Sequence, residues 1–212
     1  HQPLDDKFPG LGLGPYGQWF NRHDTWAYKA KPWMDYLARN CTMLQSGTAV
    51  SDILYYYGED CCVTGLFATS DPDGPHGYGF DYVNPEILLN VLQIKGDRLV
   101  APASGIEYRV LALHGKYAET MSLKVLRRIA EIARSGVAVC GNLPSRPASL
   151  MDSQKEFEAL LQELRSLGNV YEDRSVQEVV SRMGIAKDFD CPELDFVHRT
   201  SPSAEVYWVC NP

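Results

Sequence analysis

Two kinds of hydrophobic pattern alternate along this chain. Short, nearly continuous apolar runs lie at Ala49–Tyr57, Phe80–Val83, Tyr108–Leu113, Val137–Cys140 and Val170–Tyr171. Such runs predict strands buried on both faces. Between them, apolar residues recur at helical spacing. Trp33, Tyr36, Leu37, Met43 and Leu44 follow Pro32, and Gly47 ends that helix. Ser122 caps a second helix running to about Arg134, with Leu123, Leu126, Ile129, Ala130 and Ala133 on one face and Gly136 behind it. Phe157, Leu160, Leu161 and Leu164 predict a helix over 153–167, and Ser175–Met183 a final one. Asn84 stands at an N-cap position with Pro85 at the first helical position, ahead of Ile87, Leu88 and Leu89. Val91–Ile94 and Arg98–Ala101 flank Lys95-Gly96-Asp97 as a hairpin, and Phe196–Arg199 pairs with Glu205–Cys210 as another. Residues 68–79 are a loop by composition.

Strand and helix alternate from 49 to 183, which predicts a mostly parallel sheet with helices on both faces. Right-handed crossovers make this a doubly wound, flavodoxin-like α/β fold. Residues 1–32 have no clean period and are rich in Gly and aromatics, among them Trp19, Phe20, Trp26 and Tyr28. They are expected to form an irregular arm lying on a neighbouring surface. Three parts follow: the arm at 1–32, the α/β domain at 33–190, and a C-terminal β-hairpin at 191–212.

The 212 residues suffice for one well-filled domain, and 45% hydrophobic with 22% charged is an ordinary globular balance. A net charge of −7 without Lys/Arg clusters argues against nucleic acid or an anionic membrane as partner. The chain opens at His1 without an apolar leader, so any export signal is expected upstream of this segment. Cys41, Cys61, Cys62, Cys140, Cys191 and Cys210 show no Cys-x-x-Cys pair and no zinc spacing. They are expected to be mostly buried free thiols.

Several motifs suggest chemistry, each with a competing structural reading. Gly12-Leu13-Gly14-Pro15-Tyr16-Gly17 matches a dinucleotide fingerprint in letters, yet no strand precedes it and no helix follows until Pro32. It reads as a tight loop, and no cofactor is expected. Cys140, His114 and Glu59 each follow a predicted strand, where an α/β sheet keeps its ligands. Together they suggest an amidotransferase-type triad. Val139 before the Cys and Asn142-Leu143-Pro144 after it do not suit a nucleophile elbow. Glu59 and Asp60 could pair for glycoside hydrolysis, but neighbours on an extended segment point apart. A solvated loop or a cap on the next element is the simpler role for them. Asp71-Pro72-Asp73-Gly74 lacks the alternating oxygens of a calcium loop. The aromatic arm could stack a sugar ring or pack on a domain.

Phe20-Asn21-Arg22-His23-Asp24-Thr25-Trp26 and Trp33-Met34-Asp35-Tyr36-Leu37-Ala38-Arg39 resemble the region after the catalytic barrel in bacterial α-L-rhamnosidases of glycoside hydrolase family 106. So do Gly79-Phe80-Asp81-Tyr82-Val83-Asn84, Phe196-Val197-His198-Arg199 and Val206-Tyr207-Trp208-Val209-Cys210-Asn211. His23 and Ala27 depart from the Asn and aromatic residue expected there. The resemblance implies a parent that removes terminal α-L-rhamnose by inverting hydrolysis, with two carboxylates and calcium held on a barrel. That parent would be periplasmic or secreted. It implies for this chain a non-catalytic, class I amidotransferase-like domain, inactive alone, that buttresses the barrel. Its partners would be the parent's other domains and, through them, a rhamnose-containing glycan. Asn21, Arg22, Trp26 and Glu59 are the candidates for the rim of the sugar site. The alternatives are a stand-alone hydrolase or amidotransferase using Cys140 or Glu59, and an interaction domain unconnected with sugars.

Overall fold

The structure, a computed structural model, describes residues 26–59, 74–113 and 118–211. It divides into two compact units, residues 1–46 and 47–212.

In the first unit a 3-10 turn, Ala27–Lys29, leads into α1 (Lys31–Gln45), with Pro32 in its first turn as expected. No residue of α1 is buried.

The second unit runs β1 (Thr48–Ala49), β2 (Ile53–Tyr56), β3 (Phe80–Val83), α2 (Pro85–Asn90), β4 (Gln93–Lys95), β5 (Arg98–Ala101), β6 (Ile106–Tyr108), β7 (Val110–Leu113), β8 (Thr120–Met121) and α3 (Leu123–Arg134). It continues with β9 (Ala138–Gly141), β10 (Arg146–Pro147), α4 (Gln154–Ser166), β11 (Val170–Glu172), α5 (Val176–Arg182), β12 (Asp195–Ser201) and β13 (Ala204–Cys210). The central sheet has the order β11-β9-β7-β2-β3, with every neighbour parallel. Numbered by appearance, these five strands stand 2-1-3-4-5, the flavodoxin-like order.

The apolar runs are explained by burial on both faces. Leu54, Tyr56, Leu111, Leu113 and Val139 point to one side, where α2, α3 and α4 cover them. Ile53, Tyr55, Val110, Ala112, Ala138 and Cys140 point to the other, against Val176, Val179 and Val180 of α5 and against Tyr78 and Ile185. The two predicted caps are in place: Asn84 accepts the Ile87 N–H at 2.9 Å, and the Ser122 side chain caps α3. The Ser153 side chain caps α4. Ser175 and Glu178 form a reciprocal capping box on α5.

Two predicted strands prove to be two strands each. The run from Tyr108 bends at Arg109, whose N–H and that of Val110 both donate to the Asp52 carbonyl, at 2.8 and 3.1 Å. Tyr108 thereby stays with Leu99 in the antiparallel β4-β5-β6 sheet while Val110 enters the central one. The Ala49–Tyr57 run breaks in the same way: β1 pairs with β12 and β2 with the core. Each break falls at polar residues, Ser51-Asp52 and Arg109, within a run otherwise apolar enough to read as one strand. Gly47 (φ +63°) makes the entry to β1 feasible, since a Cβ there would lie 2.2 Å from the Thr200 carbonyl oxygen. The predicted C-terminal hairpin is present as β12 and β13, in a three-stranded sheet with β1.

Candidate functional site

Ligands of an open α/β sheet bind beyond the carboxyl ends of the strands, where strand order reverses. Here that point lies between β2 and β7, which leave toward β3 and β9 respectively. Glu59 follows β2 at this end. Its carboxylate accepts the backbone N–H of Ser122, the N-cap of α3. Asp152 accepts the next N–H, that of Leu123, at 2.9 Å, and the Ser122 hydroxyl accepts that of Val125 at 3.4 Å. Three unpaired donors of the helix start are thus supplied by two carboxylates and a hydroxyl, and the positive end of the helix dipole is matched. Glu59 therefore caps a helix distant in sequence. The simpler role considered for it was a solvated loop or a cap on the next element; the helix it caps is α3, well beyond the next element.

Cys140 does not sit in a nucleophile elbow. Gly141 (φ +95°) continues β9 in register with Leu113 and Glu172, and a Cβ there would lie 2.3 Å from the Leu113 carbonyl oxygen. The Cys140 side chain points into the apolar cluster under α5. Burial pushes its thiol up to about 12, so the thiolate is scarcely populated near neutrality. Both observations tell against the alternative in which Cys140 acts as a nucleophile. Among the described residues Cys41, Cys140, Cys191 and Cys210 are free thiols, and of these four only Cys140 is buried, where most of the cysteines were expected to be.

The remaining sequence candidates are spread out. Trp26 meets Trp33 edge to face, with ring centroids 6.1 Å apart. Asn21, Arg22, Asp60, Cys61, Cys62, Asp71, Asp73, His114 and the glycines of 12–17 lie outside the described residues. Among the described residues no group of three or more His, Cys, Asp or Glu is arranged to hold a metal ion. No helix among them is long and apolar enough to cross a membrane.

The structure also assembles a polar cluster that sequence reasoning missed. His198 on β12 is buried, with Asp188 at 2.8 Å from Nδ1 and Glu205 at 2.7 Å from Nε2. Tyr207 stacks on the imidazole at 4.0 Å between centroids and donates its hydroxyl to the other Asp188 oxygen at 3.0 Å. Thr200 donates to the second Glu205 oxygen at 2.9 Å. Hydrogen bonds from His198 and then Thr200 hold the Glu205 carboxyl below its ordinary range. The Asp188 and Phe189 N–H groups both donate to the Gly77 carbonyl, so the cluster ties the 185–195 segment to the hairpin and to the turn before β3. Hairpin register was the signal available. Once His198 faces Tyr207, Glu205 is its diagonal neighbour on the same face. Nothing in the spacing pointed to Asp188.

Comparison with known proteins agrees with this architecture. The family model described as alpha-L-rhamnosidase, glycoside hydrolase family 106, matches residues 1–212. A protein of Formosa agariphila named "Putative beta-glucuronidase" is 30% identical over 219 residues, which is 100% of this chain and 18% of that protein. The solved structure of a rhamnosidase from Novosphingobium sp. PP1Y is 34% identical with a TM-score of 0.81, covering 98% of this chain and 21% of the other. The chain thus spans about one fifth of the length of these relatives. Matched from its first residue to its last, it belongs to the α-L-rhamnosidase family, glycoside hydrolase family 106.

Proposed function

We propose that this chain serves as a non-catalytic α/β domain of a larger glycoside hydrolase, an inverting α-L-rhamnosidase, where it buttresses the catalytic barrel. The observation that carries this reading is a match along the whole chain to about a fifth of a rhamnosidase, with the fold retained. Two features of the domain support it. The buried thiol of Cys140 is unsuited to nucleophilic attack, and the Glu59 carboxylate is engaged on a helix start. The acid and base of an inverting hydrolase stand about 6.5–9.5 Å apart across the bond, and in this reading both belong to the barrel. Calcium would be held there too. The parent acts on a rhamnose-containing glycan in the periplasm or outside the cell. The 58–60 loop and the arm, through Asn21, Arg22, Trp26 and Glu59, wall the mouth of the sugar site.

The test uses an aryl α-L-rhamnoside. The full-length protein is expected to hydrolyse it with β-rhamnose as the first product by NMR, and the 212-residue chain alone to show no turnover. Turnover by this chain that disappears in Glu59→Gln would sink the proposal. For the rim, Trp26→Ala in the full-length enzyme is expected to raise KM several-fold with little change in kcat. An unchanged KM removes Trp26 from the site.

A further inference from the structure

Resting on the function proposed above, we propose that a hollow between the end of β11 and α5 binds an acidic sugar unit of the glycan through its carboxylate or sulfate ester. The hollow has a volume of about 230 Å³ and is lined by Tyr171, Arg174, Glu178, Val179 and Arg182. Sites that enclose a whole drug-sized ligand run to about 300–1,000 Å³, so this one suits a single group or ring of a larger molecule. Its construction is local. Asp173 lies in the left-handed region (φ 57°), which aspartate tolerates better than most residues. The chain thereby turns so that the Arg174 N–H donates to the Tyr171 carbonyl at 3.4 Å. Glu178 and Arg182, four residues apart on α5, share one side of that helix. Val179 is buried and contributes apolar wall.

The two arginines here are short of acceptors. Arg127, Arg134 and Arg165 each fork onto a glutamate. The Arg165 fork, at 2.8 and 2.9 Å, takes Glu172, the residue next to Tyr171. Glu178 is committed as well. One of its oxygens accepts the Ser175 N–H at 2.9 Å and the Ser175 hydroxyl at 3.1 Å, and the other lies 3.7 Å from Arg174. Arg182 has no carboxylate partner among the described residues, and its guanidinium lies over the Tyr171 ring, 5.6 Å from the centroid. Two cations therefore border one hollow in a chain of net charge −7, opposed there by a single carboxylate already bonded to Ser175. A guanidinium presents a planar fork of N–H donors that matches an oxyanion. Tyr171 and Val179 add apolar surface for the carbon side of a sugar ring, which a bare inorganic anion would not use.

Isothermal titration calorimetry on the full-length protein at low ionic strength tests this. The probes are trigalacturonate, its uncharged methyl ester, sulfated maltotriose and inorganic sulfate. At least one acidic sugar should bind, and which one binds identifies the anion. The Arg174→Ala/Arg182→Ala double variant should weaken that binding about tenfold or more. Arg182→Lys, which keeps the charge but not the fork, should weaken it several-fold. Glu178→Gln should tighten it about two- to threefold, because a like charge leaves while glutamine can still close the capping box. Equal affinity in the wild type and the double variant, no binding of either acidic sugar, or methyl ester or inorganic sulfate binding as tightly as the acidic sugars would each overturn the proposal. Hydrolysis of the aryl α-L-rhamnoside should be unchanged in these variants, which shows that they fold. Its absence from the wild-type protein fails the proposed function, whereas an active enzyme that binds no acidic sugar fails only this site.

Discussion

His198 has acceptors at both ring nitrogens and an aromatic face against it, and its two carboxylates differ. The Asp188 side chain is only 15% exposed, while that of Glu205 is 58% exposed. Most of the cost of losing the ring therefore falls on Asp188. His198→Ala is expected to destabilise the fold by about 2–3 kcal/mol in denaturant titration. It should also return the Glu205 carboxyl toward its ordinary value, followed by NMR. An unmoved Glu205 titration would show that the short contact does not persist in solution. Cys140 makes the opposite point about isolated residues. With its thiol pushed up to about 12, it should resist alkylation at pH 8 while exposed Cys41 reacts. Mass spectrometry after a short iodoacetamide pulse decides this.

At the scale of elements, α3 and α4 are joined by two matched pairs one heptad apart. Arg127 forks onto Glu156 at 2.7 and 2.9 Å, and Arg134 onto Glu163, with one arm at 2.7 Å. The guanidinium bonds hold both carboxyls below the ordinary glutamate value of 4.5. A carboxyl depressed in the folded state stabilises it above the unfolded value, and that contribution fades as pH falls through the folded value. Thermal midpoints should therefore decline below pH about 4.5, and less steeply in the Glu156→Gln/Glu163→Gln double variant. Equal slopes would mean that solvent screening has already cancelled these exposed pairs.

At the scale of the molecule, one parallel sheet serves two apolar clusters. Leu111 faces α3 and α4, and the adjacent Val110 faces α5. Leu111→Ala should cost about 2–5 kcal/mol, and Val110→Ala less, because fewer methyl groups are lost. Since both side chains hang from one strand, the faces should unfold together. Circular dichroism and tyrosine fluorescence should give coincident transitions in both variants. A separate early transition in Val110→Ala would show that the α5 side melts independently.

Much of this was determined by local chemistry. The caps at Asn84, Ser122, Ser153 and Ser175, the amphipathic faces of α3 and α4, and the five core strands depend on neighbours in sequence, so period and capping residues reveal them. Strand–helix alternation with right-handed crossovers was enough to predict a doubly wound, flavodoxin-like sheet, and the folded strands stand in the order 2-1-3-4-5. The breaks at Arg109 and after Ala49 were decided only by tertiary structure, because the bonds that bend the chain there come from Asp52 and from β12. Glu59 on the start of α3 and Asp188 beside His198 likewise come together through folding, across separations no local pattern encodes. The helical period of α1 was plain in the sequence. Its lack of buried residues was not, because periodicity shows that a face is apolar but not what covers it.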